Sequence, residues 1–185
     1  FFYLKEDGSL EDGFEIVSHP STLMAMKQMK LYNLLKYLRK NGFTSYDNGD
    51  CGLHVHTSWT KSNKRNKQVK FDTSDKIKLA YFFFHNREKI GQLYLRRFNG
   101  YSVEWSPSQV LHYERDGSYP GRHFILNYGL DSDIEFRGAK GTLYYPRFIA
   151  TMQFTECSVL YVLANGRTHF FRPCWEEFIG GKNRV

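Results

Sequence analysis

The chain has 185 residues, 41% of them hydrophobic and 17% aromatic, and carries a formal net charge of +7. This length predicts one domain with a sizeable core, and the charge favours anionic partners such as nucleotides, phosphates or nucleic acid. The three cysteines form no C-x-x-C pair, which speaks against a zinc knuckle or a disulfide framework and favours a reducing cytoplasm. No apolar run is long enough to span a bilayer, and there is no signal peptide.

The N-terminal part is predicted to form two short strands and one helix. Residues 1–4 and 13–17 are the strand candidates, and a turn containing Asp7-Gly8 separates them. Glu15 lies on the second strand with apolar neighbours on both sides, and it is either an exposed carboxylate or a ligand. The helix is predicted over 22–40, with Ser21 as its cap and Asn41-Gly42 at its end.

The segment 51–59 has the alternation of a strand. Its pattern puts His54, His56 and Ser58 on one face. Two imidazoles this close can converge on one ion or one phosphate, but a metal site needs further ligands from elsewhere. The alternative is a pair of partly exposed strand histidines.

The middle of the chain carries a basic run and a second predicted helix. The segment 60–71 is polar and basic, and we interpret it as a solvated surface loop or as a contact for phosphate or nucleic acid. A helix is predicted from Thr73 to about Leu95. The segment 101–121 is predicted to be irregular, and 122–128 to be a short strand.

An acid and a base stand two residues apart in the apolar stretch 134–138. In a strand, Glu135 and Arg137 share one face, and the residues between and before them form the other. A lone buried charge is costly, so a metal ion with an anionic substrate would satisfy both groups. The alternative is an apolar core face with a solvated Glu–Arg pair opposite. A long helix is predicted from about 143 to 164.

Three groups of motifs occur in an order that resembles the amidoligase family of bacteria and phages. They are D-G-S-L at 7–10 with F-E-I-V-S-x-P at 14–20, G-L-H-V-H at 52–56, and I-E-F-R at 134–137 followed by G-T-L at 141–143. The resemblance covers residues 4–160. This family belongs with glutamine synthetase and glutamate–cysteine ligase, the carboxylate–amine ligases.

The resemblance implies an α+β fold in which a curved antiparallel sheet is backed by helices, as in the catalytic domain of glutamine synthetase. Residues 1–165 would form this domain and 166–185 a C-terminal extension. The implied activity is ATP-dependent formation of an amide or peptide bond through an acyl phosphate, with Mg²⁺ or Mn²⁺, in the cytoplasm of a bacterial or phage-infected cell. The expected substrates are ATP, a carboxylate and an amine from an amino acid, peptide or protein side chain.

The motifs also imply roles for individual residues. Metal ligands would be Glu15, His54 and Glu135, and Arg137 would bind phosphate or substrate, so that Glu135 and Arg137 carry the catalysis. The expected nucleotide-binding residues are the three on the histidine face and two that precede the E-F-R strand: His54, His56, Ser58, Arg122 and Asn127.

One departure from the family concerns its first strand. Relatives carry a pair of glutamates, E-x-E, before the D-G-S-L turn, and only Phe1–Glu6 precede that turn here. We expect the natural chain to extend before Phe1. The alternative function is a non-catalytic phage or bacterial structural or interaction protein that reuses the fold. Nucleic acid is not an expected partner, because aromatic residues do not alternate with the basic residues of 61–70, and neither is a membrane.

Overall fold

The computed structural model describes residues 2–6, 8, 13–45, 51–58, 60–62, 68–70, 72–98, 103–117, 121, 123–128, 133–165 and 175–180. Strands within these ranges are β1 (Phe2–Glu6), β2 (Phe14–Ser18), β3 (Gly52–Ser58), β4 (Thr60–Ser62), β5 (Gln68–Lys70), β6 (Leu126–Asn127) and β7 (Asp133–Lys140). Helices are α1 (Leu23–Gln28), α2 (Leu31–Lys40), α3 (Thr73–His85), α4 (Arg87–Tyr94), α5 (Pro107–Asp116), α6 (Tyr145–Ala164) and α7 (Trp175–Gly180).

The chain divides into two compact units. The first consists of Phe1–Gly52 and Gly141–Gln153, and the second of Leu53–Lys140 and Phe154–Val185. Helix α6 is therefore divided between the two units after Gln153.

The first unit contains a β hairpin and the helices α1 and α2. Strands β1 and β2 pair antiparallel, with Phe2 opposite Ser18 and Lys5 opposite Glu15. A small core forms around the buried leucines of α2, with Leu143 and several partly buried aromatic residues packed against them.

The prediction of a single helix over 22–40 is wrong, because the backbone breaks between α1 and α2. Met29 is extended, with φ −63° and ψ 143°. Met26 and Leu31 are both buried, and residues five apart lie on different faces of a continuous helix. The break between the two helices therefore allows Met26 of α1 and Leu31 of α2 both to be buried. Thr22, rather than Ser21, caps α1 by accepting a hydrogen bond from the backbone N–H of Ala25.

The second unit contains a three-stranded sheet in the order β3-β7-β6. Strands β6 and β7 pair antiparallel, with Leu126 opposite Phe136 and Asn127 opposite Glu135. The aromatic core includes Phe82 and Phe83 of α3 together with Phe136 of β7. Helix α7 lies in the predicted C-terminal extension, and its Phe178 packs on Phe82, Phe154 and Tyr161.

Several predictions of secondary structure in this unit need correction. The helix predicted over 73–95 is broken at Asn86, whose side chain donates to the carbonyl of Phe82; such side chain–backbone bonds compete with helix continuation. The segment predicted to be irregular contains α5, which begins after the capping residue Ser106 and ends at Gly117 with φ +67°. The basic segment 60–71 contains the paired strands β4 and β5. Of the strand predicted at 122–128, only Leu126–Asn127 is a strand.

The fold class is mixed α and β, with small antiparallel sheets backed by helices, which agrees with the α+β prediction. In the part of the chain that the structure describes, no helix combines the length and the apolar character that a membrane crossing requires.

Candidate functional site

The carboxylate of Glu135 is buried in the middle of the three-stranded sheet. Strand β7 lies between β3 and β6, and the exposed fractions of Ile134, Glu135 and Phe136 are 2%, 5% and 1%. The expected alternation of faces is present, but both faces of β7 are covered here. The interpretation of a solvated Glu–Arg pair is therefore wrong for the glutamate.

Three side chains from three strands surround this carboxylate. Asn127 Nδ2 on β6 donates to Oε2 at 2.7 Å, and Arg137 Nη1 on β7 donates to Oε1 at 2.7 Å. His54 Nδ1 on β3 lies 3.1 Å from the same Oε1. Two of these contacts follow from the sheet, because Asn127 is directly opposite Glu135 and Arg137 is two residues further along the same face.

The surroundings keep Glu135 ionised. Burial by itself raises the pKa of a carboxyl group, but the hydrogen bonds from His54, Asn127 and Arg137, with the charge of Arg137, outweigh it and lower the pKa of Glu135 to about 2. At neutral pH the site therefore contains a fixed anion with a guanidinium and an imidazole held against it.

A second acid–imidazole pair lies beside the first. Asp133 Oδ2 is 2.6 Å from His56 Nδ1, and His56 Nε2 is 3.9 Å from Glu135 Oε1. Asp133 is not among the predicted site residues. Strand alternation could have identified it, because Asp133 is two residues before Glu135 and therefore shares its strand face. The described residues thus form a continuous row of polar groups, which we call the Glu135 cluster: His54, His56, Asn127, Asp133, Glu135 and Arg137.

The other predicted site residues have different positions. Ser58 is exposed on β3, as the alternation predicts. Glu15 belongs to the first unit, where its carboxylate lies 3.8 Å from Lys5 Nζ and is partly exposed. Arg122 lies outside the described residues. Their assigned roles, including that of Glu15 as a metal ligand, stay predictions.

The side chains around Glu135 determine whether this site could bind the expected metal ion. Among the described residues, no group of three or more histidine, cysteine, aspartate or glutamate side chains has the arrangement of a metal site. A carboxylate offers about four lone-pair positions, and three side chains already lie against those of Glu135. The described residues therefore do not form a metal site by themselves.

Comparisons with protein-family models, with curated proteins and with solved structures found no match to this chain.

Proposed function

We propose that this protein is an ATP-dependent carboxylate–amine ligase of the amidoligase type. One observation carries the proposal. Residues that the resemblance selects, His54, Asn127 and Arg137, meet at the carboxylate of a fourth, Glu135. Asn127 and Arg137 are close to Glu135 in sequence, whereas His54 comes from the distant strand β3, so local spacing does not account for the contact between the two motifs.

The proposed reaction has two steps. A substrate carboxylate attacks the terminal phosphate of ATP, which gives an acyl phosphate and ADP. An amine then attacks the acyl carbon, the amide bond forms, and inorganic phosphate leaves with the oxygen that came from the carboxylate. No nucleophilic side chain is needed, because phosphoryl transfer depends mainly on positioning and on neutralising charge.

The Glu135 cluster contributes one permanent cation, Arg137, to this chemistry. Arg137 is part-buried and carries a planar guanidinium, which suits the oxygens of a phosphate or carboxylate. Asn127 holds the opposite oxygen of Glu135, so that Glu135 acts as a fixed point for both Arg137 and His54. Glu135 is in this sense a positioning residue as well as the predicted metal ligand.

The expected Mg²⁺ would neutralise charge on the phosphates of ATP. Magnesium is often bound by only one or two protein carboxylates, with substrate phosphates and waters as its other ligands. The low pKa of Glu135 provides one ionised carboxylate for this purpose. The proposal thus requires the ion to enter with the nucleotide.

A second candidate is the non-catalytic interaction protein. It is favoured by the way that Asn127, His54 and Arg137 already satisfy Glu135 within the chain. A satisfied buried network of this kind also stabilises a fold without any ligand.

The test is ADP formation that depends on an added acid. The full chain would be incubated with ATP and Mg²⁺, a panel of amino acids and short peptides, and hydroxylamine as the amine, which converts an acyl phosphate into a hydroxamate. We expect ADP and hydroxamate in equal amounts from the wild type. We also expect at least about a hundredfold loss in Glu135→Gln and Arg137→Lys, in line with the loss of an electrostatic catalytic group.

The matched control is Glu104→Gln, which makes the same chemical change at a partly exposed glutamate that pairs with Arg87. This variant should keep full activity. Equal activity in Glu135→Gln would contradict the proposal. Absence of ADP formation with every acid, together with absence of ATP binding, would favour the non-catalytic candidate.

A further inference from the structure

The helices α1 and α2 carry cations without acidic neighbours. No aspartate or glutamate occurs in residues 16–46. The same segment contains five cationic side chains, all of them exposed: Lys27, Lys30, Lys36, Arg39 and Lys40. We call these five side chains, together with Tyr32, the basic helix surface.

The cations of this surface have no carboxylate partner among the described residues. Some cations on other described surfaces do: Lys5 lies against Glu15, Lys89 against Glu176, and Arg115 against Asp116. The positive charge of the basic helix surface is therefore available to an anion from outside the unit.

Helix stability accounts for only part of this charge. Cations near a helix C-terminus are favoured by the helix dipole, which explains Lys27 at the end of α1 and Arg39 and Lys40 at the end of α2. Lys30 is at the N-cap position of α2 and makes no capping hydrogen bond with its side chain. Lys30 also directly follows Met29, the C-cap of α1, where a cation is favoured, so Lys36 within α2 is the cation of this surface that the helix dipoles leave unexplained.

One tyrosine ring stands among these cations. Tyr32 has an exposed fraction of 51%, and Lys36 Nζ lies 5.6 Å from the centre of its ring. Exposed aromatic rings beside cations are the combination that binds single-stranded nucleic acid, since bases stack on the rings while the cations contact phosphates.

The burial of the leucines argues against a lipid surface as the partner. An interfacial helix must turn an apolar face towards the membrane. The apolar face of α2, formed by Leu31, Leu35 and Leu38, is instead buried in the core of the first unit. The face left to solvent is cationic and phenolic, which fits a polyanion with flat bases.

We infer that the basic helix surface binds single-stranded RNA or DNA. Phosphates lie against Lys30, Lys36 and the cations at the end of α2, and a base stacks on Tyr32. This activity is separate from the proposed ligase reaction and uses none of the residues of the Glu135 cluster.

The test is fluorescence anisotropy of a labelled single-stranded oligonucleotide of mixed sequence, as RNA and as DNA, with the full chain at several salt concentrations. We expect binding that weakens with salt, with a logarithmic slope of about −0.7 for each phosphate contacted. Lys30→Gln/Lys36→Gln should make that slope shallower by about 1.4. Tyr32→Ala should weaken binding at least about fivefold and leave the slope unchanged.

The control for net charge is Lys5→Gln/Lys89→Gln, which removes the same charge from lysines that have carboxylate partners. It should bind within about twofold of the wild type. The inference would be overturned by binding that is unchanged in both helix variants, or lost only in Lys61→Gln/Lys70→Gln. Binding to phosphatidylserine vesicles without binding to either oligonucleotide would overturn it as well.

Discussion

At the scale of single residues, the charge on Glu135 is the feature on which the cluster depends. Asn127 holds one of its oxygens, and His54 and Arg137 lie against the other. A buried carboxylate with only one hydrogen-bond donor would destabilise the folded protein, because the desolvation of the anion would be only partly offset. With three partners the anion is more stable in the folded protein than in water, as the pKa of about 2 records.

The first prediction concerns acid. Because the folded pKa of Glu135 lies below its ordinary value of 4.5, its ionisation stabilises the folded state fully above about pH 4.5. This contribution, about 3 kcal/mol, is lost as the pH falls towards about 2. Glu135→Gln has no such group, so its unfolding free energy should approach that of the wild type across this range. Denaturant unfolding of both proteins at several pH values measures the difference. If the unfolding free energy of Glu135→Gln stayed below that of the wild type by the same amount at every pH, the described contacts of this carboxylate would be contradicted.

A second prediction uses the contact across β6 and β7. Asn127→Asp places a second carboxylate where an amide now donates to Glu135 Oε2 at 2.7 Å. Two carboxylates this close cannot both stay ionised cheaply, so we expect the unfolding free energy at neutral pH to fall by about 3 kcal/mol. Part of the loss should be recovered at about pH 5, where the pair shares one proton. Asn127→Ala is the control, because it removes the donor without adding charge and should show no such recovery.

The sequence predicts which of these residues share a strand face, but not their burial. Alternation alone places Glu135 with Arg137, and His54 with His56. It does not reveal that β7 is the central strand, since that depends on pairing with β3 and β6 from distant parts of the chain. For the same reason alternation alone is compatible with a solvated Glu135–Arg137 pair. It also does not single out Asp133, although this residue lies on the same face.

At the scale of elements, the errors lie where helices begin, break and end. The extent of α6 was predicted closely, because its apolar residues continue over twenty positions. The breaks at Met29 and Asn86 were missed, because a helical pattern of apolar residues tolerates a shift of one residue without an obvious sign. Helix α5 was missed although Ser106, Pro107 and Gln109 form a typical start with a capping box. The segment 101–121 was predicted to be irregular instead.

The third prediction concerns the packing of β7 on α4. A Cβ atom added at Gly138 would lie 2.9 Å from two ring carbons of Tyr94, and this ring is itself fixed against Phe83 and Phe154. Gly138→Ala should therefore lower the unfolding free energy by about 1–3 kcal/mol, the usual cost of overpacking a core. Gly180→Ala is the control, because nothing lies within 4 Å of a Cβ at that position. A Gly138→Ala protein as stable as the wild type would contradict the described packing.

At the scale of the whole molecule, the charge of +7 is not spread evenly over the described surfaces. The basic helix surface belongs to the first unit, and the Glu135 cluster belongs to the second. Each contains cationic groups, but in different settings. The first presents exposed cations with an aromatic ring, and the second presents a part-buried guanidinium fixed by an acid.

The fold class was accessible from the sequence, whereas the particular arrangement was not. Alternating segments and helical segments follow one another along the chain, which is enough to predict α+β. The proposed assignment to the amidoligase family depends on three short groups of motifs and on their order. The contacts of His54, Asn127 and Arg137 with Glu135 support this proposal.

The most direct test of the proposed function is thermal unfolding of the full chain with and without ATP and Mg²⁺. A ligand at about a hundred times its dissociation constant stabilises the folded state by about 2.7 kcal/mol. For a protein of this size that corresponds to a rise in midpoint of about 5–10 °C. We predict this rise for the wild type and for Glu104→Gln, only in the presence of both ATP and Mg²⁺, and its loss in Glu135→Gln. An unchanged midpoint in the wild type, or an equal rise in Glu135→Gln, would contradict the assignment of the nucleotide site to the Glu135 cluster.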